Sequence, residues 1–348
     1  MGFSRKTFLL LPLLATAIFA NAQACAPQAV IVDVLNSRGM PAPDLPVSSF
    51  KASSRGKPVS VLSASLREDP STRVYLLLDM GASMSGLGAQ GIDKWKIARE
   101  AAATFLDIAA PQAEISFSTF SATITKTFQS SDGRKAMQNW LESPESMRAS
   151  ELKGKAAIHR AIIETAKAME PVHPGDSIFV ITDGVNDRNF SMAASVSDEL
   201  AARGIRLFEF MLDDSRRADN GIAAGGVSAS APVPNPDAKE LSEVVRGSGG
   251  LGYTLLPGGG KIGQSFGASY GYDQRTRQNV RTSVSEIEIA ISSFYILTVS
   301  QTPDAHGNDT HGLADFQLEV VDAQGRKRKD VNLTYPVRIP GCQAGTNH

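Results

Sequence analysis

Cysteine is nearly absent from this 348-residue chain: there are two, Cys25 and Cys342, near opposite ends. That excludes a disulfide-dense scaffold, and the spacing does not suit a metal site built from clustered thiols. Charge of one sign is also lacking. Lys and Arg number 35 against 36 Asp and Glu, a formal net charge of −1. No basic face is concentrated enough for nucleic acid. The densest basic run, Arg326-Lys327-Arg328-Lys329, follows the turn sequence Asp322-Ala323-Gln324-Gly325 and reads as a solvated hairpin tip. There is no internal repeat. Beyond residue 22 no apolar stretch reaches the roughly 20 residues that span a bilayer.

The N-terminus carries what the rest lacks. Arg5 and Lys6 precede an almost wholly apolar run at 8–19, and Ala20-Asn21-Ala22 fits a small-residue cleavage site, with Ala22-Gln23-Ala24 as a second option. This is the layout of a secretory signal peptide over 1–22, and it is too short for a membrane anchor. The expected product is exported, periplasmic or secreted. Loss of Arg5 and Lys6 takes its formal charge from −1 to −3. Outside the cytoplasm a disulfide is permissible, so Cys25 and Cys342 are expected to bridge the two ends; two free thiols are the alternative.

Three regions follow. Residues 23–70 read as a small β unit, with strand candidates at 29–35, 49–52 and 59–62 separated by turn residues. Over 71–291 the pattern alternates. Continuous apolar runs at 74–78, 177–181 and 205–211 suit strands buried on both faces of a parallel sheet. Trp95, Ala98, Ala102, Phe105, Leu106 and Ala109 recur at helical spacing until Pro111. Residues 114–120 and 123–128 alternate as a hairpin. Further helices are predicted near 133–142, 155–169, 193–203, 237–246 and 274–290, and a strand at 251–255. The fold class implied is α/β, a doubly wound, mostly parallel sheet with one antiparallel edge. The Asp-, Gly-, Ser- and Pro-rich stretch 213–236 reads as a surface loop and a candidate contact region. The tail, 292–348, looks like a three-strand antiparallel module, and the two flanking β segments are expected to pack together.

In an open α/β sheet, ligands sit beyond the carboxyl ends of the strands. Two acidic residues fall there: Asp79, in Leu78-Asp79-Met80-Gly81-Ala82-Ser83-Met84-Ser85, and Asp183, in Ile181-Thr182-Asp183-Gly184. Ordinary turn carboxylates facing water are the plainer reading. With these motifs, the chain resembles the von Willebrand factor A family, and more closely its exported bacterial branch. The β unit ending near 66, Gly249-Gly250-Leu251-Gly252-Tyr253, and the tail opening at Phe294-Tyr295-Ile296-Leu297 fit the same likeness. The resemblance implies a Rossmann-like domain that binds a protein ligand through a metal-ion-dependent adhesion site. There Mg²⁺ or Mn²⁺ is held by Asp and hydroxyl oxygens, with one position left for a partner carboxylate. Asp79, Ser83 and Asp183 match that ligand set.

Two positions depart from it. The first motif Ser is Gly81, and Ala156 falls where the family has Thr, so two of three hydroxyl ligands are missing. Ser85, Asn186 and Asp187 are candidates to compensate. Lys155, beside the vacated Thr position, could neutralise the two carboxylates in place of the ion; a solvent-facing Lys is the alternative. The reading is therefore a non-enzymatic extracytoplasmic binding protein with a weakened ion site. An alternative is a structural or assembly module of an envelope complex with no ion site. A further alternative is a serine hydrolase using Ser83 with Asp183 and His306 or His311, although position 85 is Ser where a nucleophile elbow needs Gly. His159, His173, Trp95 and Trp140 have ordinary helix, turn and core explanations.

Overall fold

The computed structural model describes residues 25–69, 71–86, 93–187, 193–212, 236–255, 274–300 and 312–341. The chain forms a mixed α/β structure with two sheets. The central strand is β4 (Arg73–Asp79), which holds the apolar run at 74–78. It lies between β5 (Glu114–Phe120) and β7 (Ser177–Thr182), parallel to both. On one side β6 (Ile124–Phe128) returns antiparallel from β5; on the other, β8 (Arg206–Met211) and β9 (Gly252–Thr254) continue in parallel. The six strands run in the order β6-β5-β4-β7-β8-β9, mostly parallel with one antiparallel edge.

Every residue of β7 and β8 is buried, because helices cover both faces. Val74, Leu76 and Leu78 pack with α1 (Lys94–Ile108) and α6 (Gln274–Ser292), through Ala98, Ala102 and Phe105 of the first and Val280, Val284 and Ile287 of the second. α2 (Arg134–Leu141) joins this layer through Met137 and Trp140. Tyr75 and Leu77 face the other way, against α3 (Ile158–Ala168), α4 (Ala193–Arg203) and α5 (Pro236–Gly247). The period-2 pleat thus assigns alternate residues of one apolar run to two cores.

The second sheet is antiparallel and seven-stranded. Its strands are β1 (Gln28–Asn36), β2 (Phe50–Ser54), β3 (Lys57–Glu68), β10 (Ser293–Ser300), β11 (Leu313–Val320), β12 (Val331–Thr334) and β13 (Arg338–Pro340). The order is β12-β1-β10-β3-β2-β11-β13. The three strands expected in the tail, β10, β11 and β12, do not pair with one another as a module, although β11 pairs with the short β13. Instead β10 inserts between β1 and β3, β11 pairs with β2, and β12 pairs with β1. Alternation along β11 shows that one face is buried but carries no information on the partner strand. One apolar layer unites the sheet, with Val30, Val32, Phe50, Tyr295, Leu297, Phe316 and Leu318 in contact. At the 326–329 basic run, Asp322 closes the expected exposed turn by accepting from the Arg326 backbone N–H.

The two sheets are joined through buried polar chemistry. Arg206, at the start of β8, donates to Asp33 of β1 at 2.8 Å and to the carbonyls of Ala290 and Ile291 at the end of α6. Residues 1–24, most of the 213–236 loop, His306, His311 and Cys342 lie outside the described residues, and with them the expected leader, contact loop and bridge. No helix among the described residues is long and apolar enough to cross a membrane.

Candidate functional site at the carboxyl ends of β4 and β7

Because β4 and β7 are parallel neighbours in register, the residues that end them emerge side by side. Asp79 and Asp183 are both fully buried there. A 3-10 turn at Ala82–Ser85 then folds back over the strand ends and brings Ser83 Oγ to donate to Asp183 Oδ1 at 3.1 Å. The three residues expected to form the site are therefore together. Asp79 joins through Thr182, whose hydroxyl donates to Asp79 Oδ2 at 2.6 Å. The Gly81 N–H donates to Asp79 Oδ1 at 2.7 Å, and the Val185 N–H to Asp183 Oδ1 at 3.2 Å.

The fourth member is Lys94. Its ammonium donates to Asp183 Oδ2 at 2.7 Å, with the side chain only 5% exposed. Lys155, the cation suggested by the sequence, is exposed. Lys94 is separated from Asp79 by a Gly-rich stretch, and no local motif marks it. Two signals were available. Lys94, Ala98, Ala101, Ala102 and Phe105 share the buried stripe of α1, so a charge sits on the apolar face. It also opens a helix, where the macrodipole disfavours a cation. Asp93 offsets the latter by capping α1, accepting from the Lys96 N–H at 3.0 Å.

Burial raises the Asp79 pKa well above the usual carboxylate range, and the nearby Asp183 charge pushes it further the same way. The bonds from Thr182 and Gly81 and the Lys94 charge oppose that shift. Two carboxylates in a dry pocket repel, and the Lys94 ammonium, paired with Asp183 and near Asp79, offsets that repulsion.

Ser85 and Asn186, two of the three candidate compensating ligands, are engaged elsewhere. Ser85 is exposed and donates to the Ala82 carbonyl at 2.7 Å. Asn186 Oδ1 accepts from the Ile158 N–H at 2.9 Å, capping α3 from outside it, while its amide meets His159 Nδ1 at 3.1 Å. The Asp187 N–H donates to the Ala156 carbonyl at 2.6 Å. These bonds hold the 156–158 segment against the strand ends. A Cβ on Gly81 would lie 3.1 Å from the Ala156 Cβ and 3.1 Å from Asp79 Oδ1. The loops have thus closed into the space that hydroxyl ligands would need. All four carboxylate oxygens already accept hydrogen bonds from the protein. This donor set does not fit Mg²⁺ or Mn²⁺, which require several free oxygens in near-octahedral array. Of the hydrolase arrangement, Ser83 donates to Asp183 Oδ1, the same carboxylate that holds Lys94.

Outward from this cluster the surface is a small rim. Ala82, Ser85, Lys153, Gly154 and Lys155 are exposed, as is Val185 at 38%. Backbone bonds tie the rim together, from the Ala82 N–H to the Gly154 carbonyl at 2.8 Å and from the Lys153 N–H to the Met80 carbonyl at 3.1 Å.

No family model and no curated protein matches the chain. Several solved structures are similar to it. An aerotolerance-related membrane protein from Bacteroides fragilis is 16% identical over 62% of this chain and 98% of that one, with a TM-score of 0.39. The conserved hypothetical protein BatB from Bacteroides thetaiotaomicron is 17% identical over 62% and 98%, with a TM-score of 0.41. A von Willebrand factor type A protein from Catenulispora acidiphila is 12% identical over 94% and 77%, with a TM-score of 0.41.

Proposed function

We propose that this chain is an exported, non-enzymatic binding protein of von Willebrand factor A type, which docks a protein ligand on the rim above Asp79, Ser83 and Asp183. The observation that carries the reading is the way this rim is held. Three separate loops, at 80–85, 153–157 and 183–187, are tied to one another by hydrogen bonds, and the last is tied to α1 by one buried ion pair. A surface ordered before binding loses little entropy on association, which favours recognition. It lies at the carboxyl end of a mostly parallel sheet, where open α/β folds place their ligands. Val185 gives the rim an exposed apolar contact, and Lys153 and Lys155 flank it with positive charge.

Affinity capture from the native envelope fraction tests the reading with three chains: wild type, Val185→Arg, and Met40→Arg as an exposed control outside the rim. A species held by wild type and by Met40→Arg but lost with Val185→Arg supports rim docking. Identical retention by all three rejects it.

A further inference from the structure

The ion-binding arrangement that the motif resembles and the cluster observed here have one requirement in common: positive charge beside two buried carboxylates. In this chain that charge is covalent. We propose that the Lys94 ammonium occupies the seat a divalent cation would take, so that the site is permanently loaded and the rim above it works without metal. The proposal rests on the reading of this face as the docking surface and specifies how that surface is held.

Three observations converge. Lys94 Nζ lies 2.7 Å from Asp183 Oδ2 and is nearly inaccessible. The hydroxyls that would complete a coordination shell are absent at Gly81 and Ala156, and these two residues are packed so closely that a Cβ on Gly81 would crowd Ala156. Both oxygens of Asp79 are committed, to Gly81 and to Thr182. Each change alone would weaken a metal site. Together they replace it, because the charge that would otherwise be lost is restored by the first residue of α1. An ammonium also differs from an ion in what it offers a partner. It has donors but no vacant coordination position, so a partner carboxylate has nothing to complete. Contact is then made with the exposed rim residues, and chelators do not disturb it.

The test uses the isolated full chain with no partner, so its result is separate from whether the rim docks a protein. Wild type is titrated calorimetrically with Mn²⁺ and melted in EDTA or in millimolar Mn²⁺. The expected result is no binding heat and the same Tm in both. Lys94→Ala leaves two carboxylates without their counter-charge. Its Tm is expected to fall by about 5 °C, with at least half of that recovered in Lys94→Ala/Asp183→Asn, which removes the uncompensated charge. Should Lys94→Ala fail to fold, the wild-type titration and Lys94→Ala/Asp183→Asn remain, the latter expected to fold and to ignore Mn²⁺. Micromolar Mn²⁺ binding by wild type overturns the proposal. So does a Lys94→Ala chain that melts like wild type, or one whose lost stability Asp183→Asn does not restore.

Discussion

Arg206 and Asp33 form an ion pair at 2.8 Å in which both side chains are at most 2% exposed, and this pair ties the parallel sheet to the antiparallel one. The guanidinium lies between two rings, 4.6 Å from the centroid of Phe294 and 5.1 Å from that of Phe208. Asp33 Oδ2 is within 3.2 Å of the Thr334 hydroxyl, so β12 is drawn into the same joint. Removing one partner leaves a buried charge with nothing to offset its desolvation. Arg206→Ala is therefore expected to lower unfolding free energy by about 3–5 kcal/mol. Arg206→Met/Asp33→Leu, which removes both charges and keeps volume, is expected to cost less than either single change. Urea denaturation of Arg206→Ala, Asp33→Ala and the double variant measures this, and a double variant worse than Arg206→Ala contradicts it.

Buried acids make stability depend on pH in an unusual direction. Burial pushes Asp33 up to about 6, although Arg206 draws it back down. Burial also pushes Glu209 up to about 7, opposed by the hydroxyl of Ser242 and the charge of Arg246. A folded-state pKa above the unfolded value means that the folded protein binds the proton more tightly. The stabilisation is complete below about pH 4 and is lost as pH rises through 6 and 7. The displacement is worth roughly 3 kcal/mol per group at high pH. The Tm contribution of these groups is expected to fall between pH 5 and pH 8. Glu209→Gln, which mimics the protonated acid, is expected to match wild type at pH 5 and to exceed it at pH 8. Thermal melts of both proteins across that range decide it; parallel curves would contradict the assignment.

The strand and helix pattern was legible wherever burial is two-sided or follows one clear period. The runs at 74–78 and 177–181 became β4 and β7, and the spacing from Trp95 to Ala109 became α1. Adjacent placement of Asp79 and Asp183 followed from the parallel register alone. Strand partners were not legible. β10 reads as an alternating strand whichever neighbours it has, and only long-range contacts place it between β1 and β3. β13 escaped notice because three residues ending in Pro340 make no pattern. Lys94 escaped because its partner, Asp183, lies 89 positions along the chain.

The proposed export has a covalent consequence. Cys25 is expected to be joined to Cys342 in protein recovered from the native envelope. Peptide mapping by mass spectrometry without reduction is expected to show one cross-linked peptide pair containing both. The bond closes a loop of nearly the whole chain, so Cys25→Ser/Cys342→Ser is expected to lose about 3–5 kcal/mol of stability. Two freely alkylated thiols in that material would reject both the bridge and its stabilising effect.

The glycine cluster after α5 makes the sharpest packing prediction. Gly249 has φ +83°, a conformation that costs other residues, and a Cβ there would lie 2.7 Å from the Pro336 nitrogen. At Gly250 the approach is closer: a Cβ would sit 1.8 Å from the Leu207 carbonyl oxygen of β8. At Gly252 it would meet Glu209 Oε1 at 2.5 Å. These contacts differ in kind. The Glu209 carboxylate ends a side chain and can shift, whereas the Leu207 carbonyl belongs to a central strand. Gly250→Ala must therefore push β9 away from β8, and with it the 335–337 segment that reaches across to Gly247 and Ser248. It is expected to cost about 3 kcal/mol or more, the upper range for overpacking. Gly252→Ala is expected to cost about 1–2 kcal/mol. Reversal of that order in denaturant unfolding would show that β9 yields more easily than the Glu209 side chain.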